Sequence, residues 1–118
     1  MTRRYVPTTL ADLARDWDAD APPVAGAVLA HDDAEETEYA ALMTAADASA
    51  ELVASLPEGQ RRRVVVVVET AGPDEPATWR DVVAVHADDR DDADPDADLA
   101  WWATQEVGGL LASRRGSR

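Results

Sequence analysis

The sequence predicts an α/β (α+β) fold in one domain, residues 1–113, followed by a mobile tail at 114–118. A chain of 118 residues can bury one hydrophobic core but not two. Valine-rich runs alternate with apolar residues at helical spacing. This pattern predicts a mixed sheet of about five strands with two main helices and a short C-terminal helix.

The chain begins with a predicted strand, helix and second strand. Arg3 to Val6 favours a strand, which Pro7 should end because proline has no amide hydrogen for a ladder. Thr9 can cap a helix with an apolar face. That face comprises Leu10, Leu13, Ala14 and Trp17. Residues 24–30 form the next strand, and the strand-helix-strand order favours a right-handed parallel crossover.

The longest helix is predicted after the acidic run at 32–38, because carboxylates stabilise the positive end of a helix. Its apolar residues recur at three- and four-residue spacing until Pro57 and Gly59 end the pattern. The stripe consists of Tyr39, Leu42, Met43, Ala45, Ala46, Ala50, Leu52, Val53 and Leu56. We therefore expect this helix to pack on the sheet through that stripe.

The five consecutive valines Val64–Val68 predict the central strand, within residues 61–70, because β-branched residues without alternation suit a strand covered on both faces. Arg61, Arg62 and Arg63 begin this segment. Adjacent strand side chains point to opposite faces, so we expect these arginines to offset nearby acids, with an anion site as the alternative.

The last third of the chain predicts two more strands and a final helix. Residues 82–86 and 99–102 favour strands, close enough in sequence for antiparallel pairing. Between them, residues 88–98 contain seven Asp, which predicts a solvated loop. Its alternate carboxylates resemble the start of a calcium loop, but Ala97 and Ala103 replace the required Gly and Glu. Gly108 and Gly109 weaken the helix expected at 105–112.

Charge, cysteine content and the absence of certain motifs exclude several classes of function. The net charge is −13, and nucleic-acid binding needs the clustered positive charge that this chain lacks. The sequence has no cysteine and therefore no disulfide or thiolate metal site. It has no segment typical of targeting or membrane insertion, so we expect a cytoplasmic protein without membrane contact. No nucleotide-binding or serine-nucleophile motif is present, and no cofactor is expected.

Both histidines lie at predicted strand ends, and aspartates follow each of them closely. His31 and Asp32 could meet His86 and Asp88 if the two strands are neighbours, since ligands collect at such strand ends. Two imidazoles with carboxylates could bind a divalent metal or act as acid and base. The alternative is that both histidines are exposed at loop entrances, with Asp in turns and helix caps.

Trp101 and Trp102 are adjacent in a predicted strand, where their side chains point to opposite faces. One core can readily bury only one of these indoles. The second needs the C-terminal helix, a loop, a protein partner or another copy of the chain as cover. Both residues are therefore candidates for partner contact.

Four segments carry a family resemblance: R-Y-V-P-T-T-L at 4–10, E-Y-A-A-L at 38–42, V-H-A-D-D at 85–89 and L-A-W-W-A-T-Q-E at 99–106. In these segments the chain resembles a family of uncharacterised small acidic actinobacterial proteins with a domain of unknown function. The resemblance implies a shared fold and a bacterial cytoplasmic setting. It implies no activity and no functional residues.

Together these features predict a non-enzymatic cytoplasmic protein-interaction module, with self-association as one form of contact. The alternative is a small metal-dependent or acid/base enzyme that uses His31 and His86 with the neighbouring aspartates. A third hypothesis is that the acidic surface imitates nucleic acid and occupies a basic partner.

Overall fold

Strands and helices alternate through most of the chain in the computed structural model, which describes residues 1–30 and 32–116, with side-chain surroundings to residue 112. Single 3-10 turns at Trp79–Asp81 and Thr104–Glu106 precede the fourth strand and the last helix. The strands are β1 (Thr2–Thr8), β2 (Val28–Leu29), β3 (Val64–Thr70), β4 (Val82–Ala87) and β5 (Ala100–Trp102), and the helices are α1 (Leu10–Asp18), α2 (Glu35–Ala54) and α3 (Val107–Gly116).

The α+β fold with a five-stranded sheet and three helices is confirmed, but the predicted parallel component is wrong. The sheet order is β2-β1-β3-β4-β5, and each of its four pairings is antiparallel. After α1 the chain passes through left-handed backbone positions at Asp20 and Gly26. This loop returns the chain beside β1 in the opposite direction, and β2 is only two residues long.

The valine run forms the centre of the sheet, as predicted. β3 pairs with β1 along seven residues and with β4 on its other side, and Val64–Val68 are all buried. The strand begins at Val64 and not at Arg61. Pro7 does not end β1, which continues to Thr8. On its outer side β1 pairs with β2 only at Arg4 and Tyr5, so no neighbouring strand is paired there at Pro7. Proline is tolerated at this position because no partner on that side needs an amide hydrogen.

The two faces of β3 belong to different cores. Val64, Val66 and Val68 pack with residues of α1 and α3, and Val65 and Val67 pack with α2. Each face of the central strand is therefore covered by a helical layer, which explains the absence of alternation in its sequence.

Helix α2 approaches the sheet through small residues, so the predicted apolar stripe is wrong in part. Its buried positions are Ala41, Ala45, Ala46, Ser49 and Val53. Tyr39 and Leu52, which the stripe included, are 60% and 48% exposed. Small side chains allow the helix backbone to lie close to the strands, and the longer side chains then fall outside that contact.

Ser49 is a buried polar residue that joins α2 to two strands. Its hydroxyl donates to the Thr8 carbonyl over 2.8 Å and accepts from the Val64 amide over 2.8 Å. It thereby satisfies backbone groups at the end of β1 and at the start of β3, where the ladder stops.

The sequence predicted the start of α1 better than the two ends of α3. Thr9 caps α1, and its hydroxyl accepts from the Asp12 amide at 3.1 Å, as expected. Thr104 does not cap α3 but donates to the Val82 carbonyl over 2.7 Å. Helix α3 continues to Gly116, past its expected end. Residues 117 and 118 lie outside the described part of the chain, and a mobile tail at 114–118 stays a prediction.

Alanine substitutions at Gly109 and Gly59 test the backbone conformations of α3 and of the loop after α2. Gly109 lies in α3, and a Cβ added there would meet no atom within 4 Å. The Gly109→Ala variant should therefore gain about 0.5–1 kcal/mol in the free energy of unfolding, measured by chemical denaturation. Gly59 has a φ of +87°, so Gly59→Ala should lose stability. A loss of stability in Gly109→Ala would contradict the helical assignment.

Candidate functional site

Strand β5 forms one edge of the sheet and carries both candidate tryptophans. In its register with β4, Trp102 lies opposite Val85 and Trp101 lies opposite His86. Directly opposed residues in a sheet share a face, so the two indoles leave β5 on opposite sides, as their adjacency predicted.

The indole of Trp102 belongs to the protein's own core. It is partly buried and packs against the cluster that contains Val85 and residues of α3. Its Nε1 is buried and has no hydrogen-bond partner in the described part of the chain. One of the two indoles is thus covered within the domain, as expected.

The indole of Trp101 lies on the face of the sheet that carries α2, and it is 61% exposed. Its neighbour across the ladder, His86, is opposite Val65, which packs with α2. Helix α2 packs mainly on β1, β2 and β3. The β4–β5 half of this face therefore presents a large aromatic side chain to solvent.

A buried ion pair fixes the loop that leads to β5. Arg63 and Asp88 are 4% and 2% exposed. The Arg63 Nη2 donates to Asp88 Oδ1 over 2.7 Å, and Nε donates to Oδ2 over 3.0 Å. The Arg63 amide donates to the same Oδ2 over 2.9 Å. This carboxylate raises the pKa of the Arg63 guanidinium and keeps it charged.

The same guanidinium also binds carbonyls of the acidic loop. Its Nη1 donates to the Pro95 carbonyl over 2.9 Å, and Nη2 donates to the Ala97 carbonyl over 2.7 Å. Asp88 was expected in a solvated loop, and that expectation is wrong for this residue because the buried Arg63 requires a counter-charge. Most of the other aspartates of the loop are exposed.

The other two arginines of the triplet have separate partners. Arg61 donates to the Leu56 carbonyl over 2.8 Å, just after the end of α2. Arg62 is buried, and its Nε lies 3.0 Å from an Asp91 oxygen. Their expected role in offsetting nearby acids thus agrees with the structure for Arg62 and Arg63.

The predicted metal site of His31, Asp32, His86 and Asp88 stays a prediction, because the structure describes only three of its four residues. His31 lies outside the described part of the chain. Asp88 uses both oxygens to accept from Arg63, and one oxygen of Asp32 accepts from the Ala34 amide over 2.9 Å. Within residues 1–30 and 32–116 there is no group of three or more potential ligands that could hold a metal ion.

The comparisons with known proteins assign a family. A family model described as "Family of unknown function (DUF6912)" matches residues 2–111, which include every strand that the structure describes. The chain belongs to this family. No curated protein and no solved structure matches it. None of the described helices is long and apolar enough to cross a membrane.

Sequence reasoning missed the Arg63–Asp88 pair, although the sequence contains a signal for it. Arg63 immediately precedes the first residue of β3, and Asp88 immediately follows the last residue of β4. Since Val64 and Ala87 are opposed in the ladder, the two flanking residues continue the register and face each other.

The half-buried His86 gives a prediction about pH. Burial lowers the pKa of its imidazole from the ordinary 6.5. The unfolded chain should therefore bind a proton before the folded chain does, and stability should fall as pH decreases through about 6.5 towards the folded pKa. The His86→Gln variant should lose this part of the pH dependence when unfolding is measured between about pH 7.5 and 5.

The direct measurement is an NMR titration of the imidazole. It is best made in a His31→Gln background, in which His86 is the only histidine. A midpoint below 6.5 is expected, and a midpoint at or above 6.5 would contradict the desolvation of His86.

Proposed function

We propose that this protein is a non-enzymatic cytoplasmic interaction module whose contact surface is centred on Trp101. The observation that carries the proposal is the 61% exposure of this indole on an edge strand. Tryptophan is enriched among the residues that dominate binding energy, because it buries a large area at little entropic cost. Covering the Trp101 indole with a partner would remove that area from water.

The support beneath Trp101 favours binding over incidental exposure. The β5 backbone is paired with β4, and the preceding loop is bound to the buried Arg63. A side chain on such a backbone loses less conformational freedom on association than one on a mobile loop. The surface is therefore preorganised for contact.

The charge of the chain favours a positively charged protein partner. Two copies that each carry −13 repel one another, most strongly at low salt, which opposes self-association. The same charge opposes contact with nucleic acid. An actinobacterial origin and a cytoplasmic location belong to this proposal as expectations from the sequence.

The enzymatic alternative has less support. Asp88, one of the aspartates that it would use, is already paired with Arg63, and removing one partner of a buried ion pair is costly. No arrangement among the described residues favours a reaction over binding, so we propose no second function.

Affinity capture from the native lysate with quantitative mass spectrometry tests the proposal. The baits are the wild-type protein, Trp101→Ala and Tyr39→Ala, since Tyr39 is another exposed aromatic, at 60%, on α2. A protein should be enriched by the wild type and by Tyr39→Ala and be lost with Trp101→Ala. That protein, once purified, should bind the wild type directly in calorimetry.

Thermal unfolding supplies the control for these variants. Trp101→Ala should melt close to the wild type, because its indole is exposed. Trp102→Ala should lose roughly 3 kcal/mol because it removes a side chain packed in the core. The proposal is wrong if no protein is lost selectively with Trp101→Ala, or if that variant is as unstable as Trp102→Ala.

A further inference from the structure

A second candidate surface is a groove at the end of β1, lined by residues of both main helices. Its walls come from α1, from residues 21–26 and from the C-terminal half of α2, and Pro7 and Thr8 of β1 also line it. Its volume is about 780 Å³, within the range of small-ligand and peptide sites.

The lining of the groove includes apolar side chains that no other described element covers fully. Leu52 is 48% exposed and Val24 is 50% exposed. Pro7, Pro23 and Ala48 also contribute to the lining. Leu52 belongs to the stripe that the sequence predicted for the core, so the packing of α2 through small residues leaves an apolar side chain for external contact.

The charged groups of the groove are mainly acidic. Among the described residues, Asp12, Asp16 and Glu51 line it together with one cation, Arg15. Arg15 lies 3.2 Å from an Asp12 oxygen and 3.9 Å from an Asp16 oxygen, and Glu51 is exposed. Burial raises the pKa of Asp16, so this carboxylate is partly desolvated and would gain from a cation beside it.

We propose that this groove binds a positively charged segment of a partner protein, in which Lys or Arg side chains flank apolar ones. The apolar side chains would cover Leu52 and Val24, and the cations would meet Asp16 and Glu51. Charge complementarity decides the occupant, because an acidic segment or a second copy of this chain would bring further negative charge to an acidic groove. The site is separate from Trp101 and does not rest on its role.

A labelled synthetic peptide of alternating Lys and Leu tests the proposal by fluorescence anisotropy with the full chain. The Leu52→Ser variant should bind about tenfold more weakly than the wild type, since it loses an apolar contact worth roughly one factor of ten. Tyr39→Ser is the matched control, because Tyr39 is exposed on the same helix about 20 Å away at about 1.5 Å per residue. It should bind like the wild type.

A second pair of variants distinguishes binding in the groove from general electrostatic attraction of the peptide to the acidic chain. Glu51→Gln should weaken binding, and Glu36→Gln, which makes the same change in charge outside the groove on α2, should not. Trp101→Ala should bind the peptide like the wild type. Amide shifts in an NMR titration should be confined to residue 8 and to residues 12–16, 21–26 and 48–52.

Three results would overturn the proposal. They are equal affinity of the groove variants and their controls, equal binding of a Glu/Leu peptide, and no binding of the Lys/Leu peptide. Because Trp101 is unchanged in the groove variants, failure here leaves the Trp101 surface to its own test.

Discussion

The buried pair of Arg63 and Asp88 is the interaction on which the outer half of the sheet depends. It continues the β3–β4 register one residue beyond the ladder and then binds the backbone of the acidic loop at Pro95 and Ala97. Residues 88–98, which are rich in mutually repelling carboxylates, are thereby held against the domain, and β5 follows them in the chain. The position of Trp101 follows from this constraint, since β5 is a three-residue strand with a single neighbour.

Much of the fold was predictable because its signals are local. The run Val64–Val68 identified the central strand, and Thr9 identified the start of α1. Strand direction was not predictable, because it depends on a loop that reverses the chain between α1 and β2. The buried face of α2 was also misjudged, since the exposed Tyr39 and Leu52 are more apolar than the alanines that pack on the sheet.

The candidate site, like the fold, was predictable from the sequence only in part. That the indoles of Trp101 and Trp102 leave the strand on opposite faces follows from the two-residue period of a strand. Which of them is covered depends on how the helices pack on the sheet, and the sequence does not encode this locally. The prediction from composition is wrong at Asp88. An acidic segment is expected to be solvated, but the Asp88 carboxylate is buried because it neutralises the buried Arg63.

Amide hydrogen exchange of the Arg63→Lys variant tests the role of this pair most directly. Lysine retains the charge but cannot donate to the carboxylate and to two carbonyls in the same fixed geometry. Amides of residues 89–98 and of β5 should exchange faster than in the wild type, while those of β1 and β3 stay protected. Arg3→Lys, at an exposed pair with Glu69, is the control and should leave β5 unchanged. Equal protection of β5 in wild type and Arg63→Lys would contradict the dependence of this strand on Arg63.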